Sequence, residues 1–162
     1  MIEIKTPGEI DTMRAAGKIV KQVLTALCNN AVAGKNTAEL DVMAEEMIRA
    51  AKSRPAFKGY NGYPSTICSS VNNSIVHEIP SRNKVLKDGD IISFDVGAEL
   101  DGYFADAAIT VGVGEISPKA SKLVEVTRKS LEDAITMAVE DNRISDISSA
   151  VQKRVESGGF SV

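Results

Sequence analysis

The sequence predicts a mixed α/β (α+β) fold in which helix pairs pack on a mainly antiparallel sheet. Three observations carry this. Two pairs of amphipathic helical stripes occur, before and after a block rich in β-branched and aromatic residues, and that block contains a hairpin signal, Asp101-Gly102, between apolar arms. The order is helix pair, strands, helix pair, which reads as a weak internal repeat with pseudo-twofold character.

Taken in order, Thr6-Pro7-Gly8-Glu9 reads as an N-cap, a proline at the first helical position and a capping-box glutamate. The helix it opens carries Ile10, Met13, Gly17, Val20, Leu24 and Leu27 on one face. A turn at Gly34-Lys35-Asn36 and a cap at Thr37 begin a second helix, with Leu40, Met43, Met47 and Ile48 inward. Strands follow, ending in the hairpin with arms Ile91 to Ala98 and Tyr103 to Val111. Ser117-Pro118 opens a third helix with Leu123, Thr127, Leu131, Ile135 and Ala138 on its stripe. After a turn near Asp141-Asn142, a cap at Ser145 begins a fourth, carrying Ile147, Val151 and Val155 and closed by Gly158-Gly159. Phe160, Ser161 and Val162 look like the start of a strand. On this reading the repeat is unfinished, and its second half is expected to be missing through deliberate truncation, proteolysis or a split gene; a short protein that closes its sheet by dimerising is the other reading.

Composition narrows the class without naming a chemistry. At 162 residues and 43% hydrophobic content a single domain spanning 1–162 with a real core is expected. A net charge of −3, with lysines and arginines interspersed among acids, gives no footprint for direct nucleic-acid binding. Cys28 and Cys68 set no disulfide framework and no metal-type spacing, and neither an apolar leader nor a membrane-length run occurs, so a cytoplasmic protein is expected.

The chemistry-bearing feature is the pair Asp95 and Asp106. Strand alternation puts both on one face of the hairpin whether the loop is Asp101-Gly102 alone, with Asp95 opposite Ala108 and Asp106 opposite Gly97, or runs from Glu99 to Gly102, with the acids directly opposed. Like charges this close destabilise a sheet unless a cation lies between them. The plain alternative is a half-buried hairpin with its acids in water, since Ile92, Phe94, Val96, Ala98, Tyr103, Ala105, Ala107 and Ile109 form an apolar opposite face. Against it, the acid face also contains Ile91, Phe104 and Ala108, with small Gly97 and Ala108 beside the acids, which suits a partly covered concave site. His77, the sole histidine, reads by itself as a satisfied polar residue, and Tyr60, Tyr63 and Cys68 as core.

The stretch PAFKGYNGYPSTICSSVNNSIVHEIP, from Pro55 to Pro80, with LKDGDIISFDVG and DGYFADAAIT after it, closely resembles the type I methionine aminopeptidases of peptidase family M24. The resemblance implies the pita-bread fold and a metalloaminopeptidase that removes the initiator methionine from nascent polypeptides, met in the cytoplasm and at the ribosome. It implies two divalent metal ions, Co, Mn, Fe or Zn, held by two Asp, one His and two Glu. By motif position Asp95 and Asp106 resemble the two aspartate ligands. His77 resembles the catalytic histidine that hydrogen-bonds substrate near the scissile bond, and Tyr60, Tyr63 and Cys68 resemble residues lining the methionine side-chain pocket. The other ligands belong, in the family, to a second set of strands, so the resemblance implies that this chain alone is incomplete and inactive and that a C-terminal half is its partner. A non-catalytic pita-bread binding module, or a prolidase- or creatinase-type peptidase, is the alternative function. The family's preference for a small second residue implies that Ile2 would keep Met1 in place. The sequence departs from the family pattern at Glu78 and Ala105, each in place of a usual glycine, and at Glu140-Asp141 in place of a Pro-Gly turn. Glu78 is expected to add a charge beside the site.

Overall fold

A computed structural model describes residues 3–162; Met1 and Ile2, on which the expectation about the initiator methionine rests, lie outside the described residues. The chain divides into two compact units, one reaching to Glu115 and one from Ile116 to Val162.

In the first unit α1 (Pro7–Asn30) begins as its sequence demands, with Thr6 Oγ1 accepting from Glu9 N and the Glu9 carboxylate accepting from Thr6 N at 2.7 Å. Its buried stripe is Ala16, Ile19, Val20, Val23, Leu24 and Leu27, whereas Ile10 and Met13 stand exposed. Helix α2 (Thr37–Ala50) is capped one residue earlier than expected: Asn36 Oδ1 accepts from Glu39 N at 3.0 Å. Thr37 is the first helical residue, and its hydroxyl is instead spent on Ser81, donating to the carbonyl and accepting from Ser81 N. Either residue has the oxygen to cap.

The sheet is antiparallel throughout. Strand β3 (Ile91–Leu100) is central, with β4 (Tyr103–Gly112) along one edge and both β1 (Arg54–Pro55) and β2 (Ile67–Val71) along the other. Asp101 and Gly102, at φ 50° and 86°, form the two-residue loop that matches the twist of the strands. Leu100 therefore pairs with Tyr103, Asp95 with Ala108 and Gly97 with Asp106, which excludes the four-residue loop. One face of the sheet packs Ile67, Val71, Ile92, Phe94, Val96 and Ala98 against α1 and α2 as a single core. The other face carries the acids.

In the second unit α3 (Pro118–Thr136) and α4 (Ile144–Ser157) pack on each other. Ser117 caps α3 as expected, its Oγ accepting from Ala120 N. Of the apolar stripe read from the sequence, Leu123, Leu131 and Ile135 are exposed, and the buried residues of α3 are the small Ser130 and Ala134. Small side chains let helix axes approach closely, and an ion pair from Asp133 to Arg154, 2.6 Å, flanks the contact. Helix α4 starts before Ser145, with Arg143 as its N-cap residue donating through its backbone to the Asp146 carboxylate at 2.7 Å. Residues 160–162 form no strand; Phe160 N donates to Val155 O, and the Lys122 ammonium lies 5.9 Å from the Phe160 ring centre.

Candidate metal centre and substrate cavity

The acid face is built from alternation along β3, which sends Ser93, Asp95, Gly97 and Glu99 away from the helices. The outer two are accounted for locally. Ser93 and Thr110 share a hydrogen bond of 2.7 Å, and Glu99, although buried, is paired with Arg54 and accepts from Gly102 N at 2.7 Å. Asp95 and Asp106, offset diagonally across the β3–β4 ladder, have no such cation. Diagonal neighbours sit about 7–8 Å apart at the backbone, within mutual reach of two carboxylates.

Asp95 bears the cost of this arrangement. Its Oδ1 is buried without a hydrogen-bond partner. Burial, and then the charge of Asp106, push its carboxyl above the usual range, against an opposing pull from His77. Across the other edge of β3 its partner is Cys68, whose thiol burial also drives upward, so this neighbour is a neutral wall rather than a thiolate. An orphaned carboxylate oxygen beside a second carboxylate is a fit for a hard or borderline divalent cation, which would satisfy both at once. Among the described residues no group of three or more His, Cys, Asp or Glu side chains gathers as a metal site, so the donors present are these two acids.

An open cavity of about 610 Å³ lies over the pair. It is lined by Tyr60, Tyr63, Cys68, His77, Asp95 and Asp106, so every site residue expected from the sequence reaches one place, together with Phe57, Asn61, Gly62, Pro64 and Ile79. Several devices hold this wall. Asp41 on α2 accepts from Thr66 N and Ile67 N, at 2.8 and 2.9 Å, fixing the start of β2 and with it Cys68. Glu45 on the same helix holds Lys58 at 2.6 Å. Tyr60 to Gly62 make one 3₁₀ turn, after which the Tyr63 hydroxyl donates to Ile67 O at 2.9 Å; burial drives that phenol well above its ordinary range, and it stays neutral. Cys68 itself lies inside β2, beyond the 3₁₀ turn that carries Tyr60. Tyr60 is largely exposed and forms the rim.

His77 is exposed and has φ 59°, in the left-handed region that a β-carbon disfavours. Glu78 is not beside the site as expected: it is absent from the cavity lining, and its carboxylate turns to Val71 N and Lys84. Ala105 lies on the helix side of β4, packed against the core. Phe57 is one of the lining residues that sequence reasoning missed. Its signal is indirect: Gly97 faces the acid side without a β-carbon, and an added one would stand 2.5 Å from the Phe57 ring.

The chain is similar to proteins of known kind along its whole length. It is 49% identical over 162 residues to a methionine aminopeptidase of Clostridium acetobutylicum and 48% identical to methionine aminopeptidase 1 of Bacillus subtilis, covering all of this chain and 65% of each relative. It thus spans about 65% of the length of the curated relatives it matches. The crystal structure of methionine aminopeptidase from Thermotoga maritima superposes with a TM-score of 0.98 at 44% identity, covering 100% of this chain and 65% of that one. The prolidase from Pyrococcus furiosus, at 21% identity, 96% and 44% coverage and a TM-score of 0.85, shares the fold, which is the pita-bread fold. The model of metallopeptidase family M24 matches residues 11–162, and with relatives this similar on both measures the chain belongs to that family.

Proposed function

We propose that this chain supplies half of the catalytic site of a metalloaminopeptidase that removes the N-terminal methionine from nascent polypeptides in the cytoplasm. The observation that carries the reading is the orphaned Asp95 oxygen beside Asp106, under a cavity that contains no other carboxylate. Asp95 and Asp106 would hold two divalent ions. Such ions, when bound, supply Lewis acidity toward the scissile carbonyl and a lowered pKa for water. The rest is done by the chain's own side chains. Phe57, Tyr63 and Cys68 give a soft, polarizable and uncharged wall for a methionine thioether, and His77 at the rim donates or accepts a hydrogen bond at the scissile amide. Exposed Tyr60 stands at the rim, where the substrate's first side chain would enter.

Two carboxylates are too few donors for a closed site, so residues 1–162 alone are expected to bind divalent metal weakly and to lack turnover. The test adds a C-terminal segment of a methionine aminopeptidase relative in trans and measures methionine release from Met-Ala-Ser peptides. Release that depends on both parts and is abolished by Asp106→Asn supports the reading. A well-folded complex without release, or full release with Asp106→Asn, overturns it. Preferential cleavage of Xaa-Pro peptides would move the chain to the prolidase-type branch.

A further inference from the structure

Between Val71 at the end of β2 and Ser81, which is fastened to Thr37, the chain runs through a loop with no apolar anchor: Ile75, Val76 and Ile79 are all exposed, at 85%, 62% and 51%. Within it His77 occupies a left-handed conformation that an L residue adopts reluctantly. Something polar has to hold it, and the next residue does. The Glu78 carbonyl accepts from Ser69 N at 3.0 Å, and the Glu78 amide reaches Ser70 Oγ at 3.3 Å. The Glu78 carboxylate accepts from Val71 N at 2.9 Å with one oxygen and pairs with Lys84 at 2.7 Å with the other. Glu78 thereby meets two successive outward amides of the β2 edge, one through its backbone and one through its side chain. Lys84 is a firm anchor in turn, because its carbonyl accepts from Thr37 N at the start of α2.

We propose that Glu78 is a positioning residue: its carboxylate clips the 72–80 loop to the β2 edge and so holds the His77 imidazole at the rim of the cavity. This rests on the reading that His77 meets substrate there. The carboxylate is only about one-fifth exposed, and although burial opposes its charge, Lys84 and Val71 N outweigh it and hold the acid below its ordinary range. A glycine at this position would offer no such clip. With the carboxylate gone, Val71 N loses its acceptor and the loop keeps only the backbone bonds of Glu78 to Ser69 and Ser70 beside half-exposed Ile79, so His77 is less firmly held in its strained conformation.

His77 is the sole histidine of the sequence, so its ring resonances can be followed in the intact chain without ambiguity. Glu78→Ala, Glu78→Gln and Lys84→Met would be compared with the parent by NMR, with exchange of the Phe94 and Val96 amides reporting whether the core is intact. The expected result for Glu78→Ala is at least tenfold faster exchange of Val71 N–H, together with a shifted or doubled His77 ring signal, while the core amides are unchanged. Glu78→Gln keeps an acceptor for Val71 and should recover part of both effects; Lys84→Met should show the ring effect more weakly. Ring signals identical to the parent in Glu78→Ala, with Val71 deprotected and the core intact, would overturn the proposal. If Glu78→Ala fails to fold, unaltered ring signals in both Glu78→Gln and Lys84→Met overturn it equally. In the complemented enzyme Glu78→Ala is expected to lower kcat about tenfold with little change in KM. Absence of turnover in the unmutated complex would refute the aminopeptidase reading and leave the ring result standing.

Discussion

Gly97 lies directly across the β3–β4 ladder from Asp106, and the space its missing β-carbon leaves is taken by the ring of Phe57. The sheet's acid face and the cavity wall are thus set by one contact: Ala56 N donates to Gly97 O at 3.0 Å, and the next residue covers the glycine. Its consequence is that a side chain at this strand position must displace Phe57 and Ala56. Gly97→Ala brings a methyl within 3.0 Å of Phe57 and Ala56, so the 55–58 segment must lift. Overpacking of this kind costs about 1–3 kcal/mol. Chemical denaturation should show that loss, and the Phe57 ring signals should move. Wild-type stability with an unmoved ring would mean that the segment is looser than this packing requires.

A second prediction concerns the metal-free acid pair. Asp95 keeps an unpartnered, buried oxygen beside Asp106, an arrangement that helps only a bound cation. Asp95→Asn removes the repulsion and brings an amide that can donate to Asp106, so the metal-free chain should become more stable at pH 7, by on the order of 1 kcal/mol after allowance for partial solvent screening. Divalent metal binding, measured by calorimetry with Mn²⁺, should weaken at the same time. Loss of stability on substitution would show that Asp95 has a cationic or hydrogen-bonding partner in the metal-free state.

How far the sequence alone could reach is instructive at particular residues. The Thr6–Glu9 box and the Asp101-Gly102 loop are local devices, whose atoms lie within a few residues of one another, and both were legible. The same-face placement of Asp95 and Asp106 followed from strand period alone. What failed depends on partners distant in sequence. Thr37 looked like a cap because nothing nearby reveals Ser81, and Glu78 looked like a charge beside the site because Val71 N and Lys84 were not in view. In α3 the apolar stripe through Leu123 and Leu131 was legible as a period, but that the small Ser130 and Ala134 are the residues buried was not. Periodicity finds an apolar face; it does not say which face a neighbour occupies.

Ser69 supplies a third prediction. Its side chain is fully buried on the core face of β2, alternating with Ile67 and Val71, and its hydroxyl has no partner. A buried unsatisfied hydroxyl costs about 1–3 kcal/mol, and removing it leaves only a small void. Ser69→Ala is therefore expected to leave stability unchanged or raise it by about 1 kcal/mol, read from urea midpoints at constant slope. A clear loss would place an ordered water or a second rotamer partner at that hydroxyl.

The last prediction joins the start of α1 to β4. Tyr103 donates from its hydroxyl to Glu9 Oε1 at 2.6 Å, while Glu9 Oε2 accepts from Thr6 N at 2.7 Å. The Tyr103 bond foremost, and then the Thr6 backbone and hydroxyl, hold the Glu9 carboxyl down from 4.5 to about 2. A folded-state pKa below the unfolded one means that the unfolded chain takes up the proton first. The stabilisation is therefore complete above about pH 4.5 and is lost as pH falls from there through about 2. Tyr103→Phe removes the largest cause, so the variant should melt lower than the parent at pH 7, and the gap between them should narrow steadily below pH 4.5. Thermal midpoints at pH 7, 4.5, 3.5 and 2.5 measure it. A gap that stays constant across those pH values would show that Tyr103 supports the helix end by packing alone, with Glu9 titrating independently of it.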